Sequence, residues 1–145
     1  MTFPHKSLGM LAVLAVLCTL IATASASAHH SFAAEFDGKK CSDFTGVLTR
    51  VDWQNPHAYI YVDVKSASGP VEHLTFQLSS ISNLRRGGTE RSNMIGHFGK
   101  LVSVRGCAAK TGEKNRYAAS FIKFPDGKVY RLGQDVEGNL GSREY

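Results

Sequence analysis

The sequence contains no apolar run as long as the ~20 residues a membrane-spanning helix needs. Its longest run, Leu8 to Ile21 (LGMLAVLAVLCTLI), is too short and too poorly flanked for a span. There is no G-x-S-x-G elbow, no phosphate-cradling glycine loop and no paired C-x-x-C. The residues on which hydrolase, nucleotide-handling and zinc-ribbon chemistry usually rest are therefore missing. No internal repeat is present, and no low-complexity segment beyond the N-terminal run. Tryptophan is scarce: Trp53 stands alone among 145 residues. Cysteine is scarce too, with three, of which Cys18 lies in the apolar run.

The N-terminal segment has a positive start at Lys6, an apolar middle and a small-x-small end at Ala26-Ser27-Ala28. That is the pattern of a secretory signal peptide, cut between Ala28 and His29. An uncleaved N-terminal anchor is the alternative. A lipid-anchored Cys18 is rejected, because Leu17 precedes it where a small residue is required. The expected location is periplasmic or secreted, with no transmembrane span after cleavage. Residues 29–145 carry 16 basic and 12 acidic side chains, a net charge of +4. So mild a charge needs no nucleic acid to explain it; a metal ion or an envelope component is the expected partner, and the sequence does not fix an oligomeric state. Cys41 and Cys107 remain after cleavage, and an even count in an oxidising compartment suggests a disulfide. Two separate thiols are the alternative.

The expected organisation is a leader over 1–28, an arm over 29–40, a barrel over 41–132 and a loose tail over 133–145. In the arm, Phe32 and Phe36 are four apart, which suits a helical turn or an extended segment docking two rings. Phe44–Trp53 alternates Thr45, Val47, Thr49, Val51 and Trp53 against Leu48, Arg50 and Asp52, the period of a strand. His57–Lys65 and Val71–Ser79 continue the pattern, with Ile60, Val62 and Val64, then Leu74, Phe76 and Leu78, on single faces. A serine-capped helix closed by glycine follows over 79–88, and a second short turn over 89–95. Strands then come at 100–110, 116–124 and 128–132. Three strands, a helix, two strands and a hairpin extension is the order of an all-β, OB-type five-stranded Greek-key barrel with one short helix between strands 3 and 4. A Greek-key β-sandwich is the rival. In the OB topology strands 1 and 4 are antiparallel neighbours. Cys41, just before the first, and Cys107, ending the fourth, would then come close.

Three strings coincide: HHSFAAEFD after the leader, VDWQNPHAYIYVDV across strands 1 and 2, and NLRRGG after strand 3. Together they resemble a family of small exported bacterial proteins with a domain of uncharacterised function. The resemblance covers nearly all of residues 29–145. Its specific parts are the start string and the run Trp53, Asn55, Pro56, His57. It implies export and organisation but no activity. Cysteines at 41 and 107 depart from the family pattern and fit an added staple; the segment MIGHFGK departs as well, so His97 is not a family feature.

Cleavage would give His29 a free α-amine of pKa about 7.7–8.0. Amine and imidazole of one histidine can chelate a metal, and a remote imidazole completes a histidine brace suited to Cu(II). His30 could compete or assist; His57 and His73 are the candidate remote ligands. A solvated N-terminus binding metal only adventitiously is the alternative, with His57 a turn residue bonded to a backbone carbonyl, and His73 and His97 exposed non-ligands. Trp53 can cap the core or stack on a sugar or base. Asn55-Pro56 is expected to fix its turn, the asparagine satisfying local amides. Tyr59 and Tyr61 could form a stacking surface or be ordinary strand tyrosines. Arg85-Arg86 suits a solvated helix end, or contact with a phosphate or lipid headgroup. No catalytic constellation emerges. The expected function is non-enzymatic binding, of Cu(II) or, alternatively, of an envelope partner through Trp53, Asn55, Tyr59 and Tyr61.

Overall fold

The computed structural model describes residues 32–65 and 68–133. A helical turn, α1 (Phe32–Glu35), leads directly into a long strand, β1 (Phe36–Asp52). The strands β2 (Tyr59–Lys65) and β3 (Val71–Gln77) follow, then the short helices α2 (Ile81–Arg86) and α3 (Arg91–Ile95). β4 (Leu101–Ala109), β5 (Arg116–Lys123) and β6 (Val129–Arg131) complete the order.

The sheet order is β3-β2-β1-β4-β5-β6, and a parallel pairing of β3 with β5 closes the first five strands into a barrel. Closure runs through Thr75 opposite Arg116, Phe76 opposite Tyr117 and Gln77 opposite Ala118. An all-β barrel of OB topology is therefore what the sequence builds, with β6 an added edge strand on β5. Alternation explains the inner face. Ile60 and Val62 of β2 and Leu74 and Phe76 of β3 are buried. Phe44, Phe76 and Tyr117 meet as an aromatic cluster with centroids 4.6–5.5 Å apart.

Where one helix was expected between strands 3 and 4, two form. Ser80 caps α2 by accepting from the Asn83 N–H, and Gly88, at φ +80°, ends the turn that follows it. Glu90 and Asn93 then cap each other reciprocally and start α3. Leu84 and Met94 deliver one apolar side chain from each helix to the core.

Strand β1 corrects two further expectations. Its inward face is Gly46 and Leu48, then Val51, whereas Thr45 and Thr49 are exposed and Val47 is only half-buried. A bulge between Leu48 and Arg50 shifts the register against β2, so no single period-two face runs from 45 to 53. The strand also begins at Phe36 rather than in the forties, because its first half pairs with β4. Cys41 is thus inside β1, directly opposite Cys107 of β4, and the two form a disulfide with Cα atoms 3.9 Å apart. Among the described residues, no helix is long and apolar enough to cross a membrane.

Candidate functional site

The docked arm builds one end of the molecule. Phe32 and Phe36 are both buried, with rings stacked at 5.8 Å. They close a small second core with Cys107, Ala109 and Ala118, and the disulfide partner Cys41 packs against it. A single helical turn is not stable alone, so its hydrogen bonds to the barrel matter. The Lys110 N–H donates to the Glu35 carbonyl (2.8 Å), and Lys110 Nζ to the Ala33 carbonyl (2.6 Å). Arg116 donates to Glu35 Oε2 (2.8 Å) and Gln77 Oε1 (3.0 Å), and its guanidinium lies 5.2 Å from the Phe36 ring centroid. Sequence reading missed this Glu35–Arg116–Gln77 link. Its members lie 39 and 81 positions from Arg116, and only barrel closure brings them together.

His57 sits against the arm. Its ring meets Phe32 edge-on, centroids 5.4 Å apart at 89°. Its Nδ1 is buried and has no hydrogen-bond partner among the described residues. The expected alternative, a ring bonded through that nitrogen to a backbone carbonyl, is not observed for Nδ1. His29 and His30 lie outside the described residues.

His73 is elsewhere. It is exposed, with Nδ1 2.7 Å from Asp63 Oδ1. In the β2–β3 ladder it stands opposite Asp63, four pairs along from Tyr59–Gln77, where the chain leaves His57. Four residues of strand span roughly 13 Å, so the fold does not bring His73 beside His57. Among the described residues, no three His, Cys, Asp or Glu side chains gather into a metal-ligand set. His97 is half-buried, stacked on Phe124 at 4.0 Å, with Nδ1 3.0 Å from the Asn93 carbonyl oxygen. That is a packing role.

The residues proposed for partner recognition are engaged within the fold. Trp53 packs against the main core, and its Nε1 is buried without a partner among the described residues. Asn55 serves a distant amide rather than local ones: its Oδ1 accepts from the Ile81 N–H (3.2 Å), tying the 53–58 loop to the start of α2. The Tyr59 hydroxyl lies 3.5 Å from Gln77 Oε1. Tyr61 donates to Asp52 Oδ2 (2.9 Å), and Arg50 lies over its ring at 4.8 Å while gripping the same carboxylate through two N–H groups. Burial pushes the Tyr61 phenol above its ordinary pKa, and Asp52 adds to that shift. Asp52 also raises the Arg50 guanidinium.

A model of a family of unknown function (DUF6152) matches residues 16–118. The chain belongs to this family. No curated protein and no solved structure matches it significantly. The DUF6152 match spans the arm, His57, the disulfide and Arg116, so the docked-arm end lies wholly within it. The DUF6152 description carries no activity.

Proposed function

We propose that this chain is an exported, non-enzymatic binding protein whose ligand is Cu(II), held by the α-amine and imidazole of His29 after leader cleavage and by the imidazole of His57. One observation supports this reading above others. Phe32, three residues after His29, packs on the His57 ring, while His57 Nδ1 is buried without a partner among the described residues. Three residues reach at most about 11 Å, so the chain length allows the His29 nitrogens to meet this imidazole. An unpaired buried nitrogen costs roughly 1–3 kcal/mol, a penalty that a ligand on it relieves. Nitrogen donors suit Cu(II). His30 is a competing donor, and His73, held by Asp63, is left out.

Calorimetry and electron paramagnetic resonance on three proteins test this: the chain beginning at His29, the same chain with one preceding glycine, and His57→Gln. The expected result is one-to-one binding in the first and a loss of more than about tenfold, or 1.4 kcal/mol, in the other two. Equal weak binding in all three would sink the reading.

A second reading, a recognition module for an envelope partner, is favoured by a different surface from Tyr59 and Tyr61. Ile95, Phe98 and Leu101 are 36%, 45% and 59% exposed within one short stretch. Under it, a Phe98→Ser, Leu101→Ser double variant loses association with envelope material that the glycine-extended chain keeps; undiminished association of the double variant rejects it.

A further inference from the structure

A cavity of about 320 Å³ lies between α2 and the end of β6, lined by Ser79, Asn83, Leu84, Arg86, Arg131 and Leu132 with two glycines. Among the described residues its charge is of one sign, because Arg86 and Arg131 are the ionisable residues of that lining. Their situation differs from that of three other arginines in the fold. Arg50, Arg85 and Arg116 each sit on a carboxylate, those of Asp52, Glu90 and Glu35. Arg86 instead donates to the Asn83 amide oxygen, and among the described residues that line the cavity with Arg131 there is no carboxylate.

Both walls are held in place. Thr89, fully buried, donates its hydroxyl to the Arg131 carbonyl (2.7 Å). The Ser79 N–H donates to the Leu132 carbonyl (2.9 Å), and the Leu132 N–H to Ser120 (2.8 Å). On the facing wall, Asn83 Nδ2 donates to Ser79 Oγ (3.1 Å), which leaves its oxygen turned to Arg86. Leu84 and Leu132, at 2% and 0% exposure, form an apolar floor. A guanidinium has five N–H donors in a planar fork suited to phosphate and carboxylate oxygens. Two such residues lining one cavity, with no acidic side chain in its described lining, offer an anion two positive charges.

We propose that this cavity, formed by the NLRRGG turn and β6, is a binding site for a phosphate group, gripped by Arg86 and Arg131 and oriented by Asn83. The proposal is independent of copper binding. The source of the group is either free phosphate or the phosphate ester of a lipid headgroup, and the cavity volume admits both.

The test is an amide NMR titration of the chain from His29 with inorganic phosphate, with glycerol phosphate, and with chloride at matched ionic strength. Saturable shifts of the Asn83 side-chain amide and the Gly87 and Gly133 N–H groups are expected with phosphate and not with chloride. Arg86→Gln and Arg131→Gln should each weaken binding roughly tenfold, the loss of one charge-assisted contact, and Arg91→Gln should leave it unchanged. Tighter binding of glycerol phosphate assigns the site to an ester; equal or weaker binding assigns it to the free ion. Shifts that grow linearly, that chloride reproduces, or that both arginine variants retain would overturn the proposal. Should Arg86→Gln perturb α2, Arg131→Gln alone decides, since that side chain makes no hydrogen bond the fold relies on among the described residues.

Discussion

Arg50, Asp52 and Tyr61 form a closed group on the outside of β1 and β2. The carboxylate accepts from Arg50 Nε (2.8 Å), Arg50 Nη2 (2.6 Å) and the Tyr61 hydroxyl (2.9 Å). A stacking ligand would have to displace Arg50 from the ring face it already covers, which is why Tyr61 is a weak recognition candidate. The group also has a titration signature. Burial first, then the bond to Asp52 and its charge, raise the Tyr61 pKa, with Arg50 opposing. A pKa raised in the folded state means the neutral phenol is the favoured form. Its stabilisation is complete below the unfolded value of about 10 and is lost as pH rises through the higher folded value. Absorbance titration of the phenolate, taken as the difference from Tyr61→Phe, should show Tyr61 ionising later than an ordinary phenol. Asp52→Asn should bring it part-way back, because burial remains. Ionisation of Tyr61 at or below the ordinary value would refute this account of the group.

Strand β1 is the element on which the barrel turns, since it pairs with β4 through its first half and β2 through its second. At the crossover stands Gly46. A Cβ there would overlap the Asp63 carbonyl oxygen and lie 2.8 Å from Val62 Cγ1, so glycine permits the close approach of β1 to β2. Gly46→Ala is expected to cost about 1–3 kcal/mol, as overpacking does, read by denaturant unfolding; a loss within the ~0.5 kcal/mol of a neutral surface change would show that β2 moves away freely. The same strand marks how far the sequence could be read. β2 and the inner half of β3 were legible because alternation there matches burial, as with Ile60, Val62, Leu74 and Phe76, whereas β4 and β5 bury the unbroken runs Val104–Cys107 and Ala118–Ser120 and were legible only as apolar stretches between turns. In β1 the bulge after Leu48 moves Val51 inward and strands the Thr45–Val47–Thr49 face outside, and local periodicity carries no trace of a bulge. Phe36–Phe44 (FDGKKCSDF) lacks alternation altogether, because its strand character comes from pairing with β4. The site divides likewise. Cys41 with Cys107 followed from the topology, and Phe32 with Phe36 from their spacing. Phe32 on His57, Asn55 on Ile81 and Glu35 on Arg116 depend on docking across 25 or more positions, where no spacing rule applies.

The described residues form two cores, and the disulfide belongs to the smaller. The main core runs through the barrel from Leu48 to Leu132, whereas Phe32, Phe36, Cys107, Ala109 and Ala118 hold the arm. The cross-link closes a loop of 66 residues between adjacent strands. Linking such a loop stabilises a fold by about 2–4 kcal/mol, largely by constraining the unfolded chain. The Cys41→Ala, Cys107→Ala double variant should therefore unfold at lower denaturant by that amount and still form the barrel, because the β1–β4 ladder extends from Ser42 to Val47 beyond the bond. The loss should not be uniform. Hydrogen exchange is expected to quicken most at the backbone N–H groups of 36–41 and at Lys110, whose N–H is donated to Glu35. Those of Ile60 to Val62, inside the main core, should change only as global stability does. If Cu(II) is held between His29 and His57, a loosened arm must also bind it more weakly, because the arm no longer holds the two ligands together in advance. A variant that loses stability evenly and keeps its copper affinity would separate the staple from the site. A variant that loses both, with the quickened exchange concentrated at the arm, would make the disulfide the support on which the candidate metal site rests.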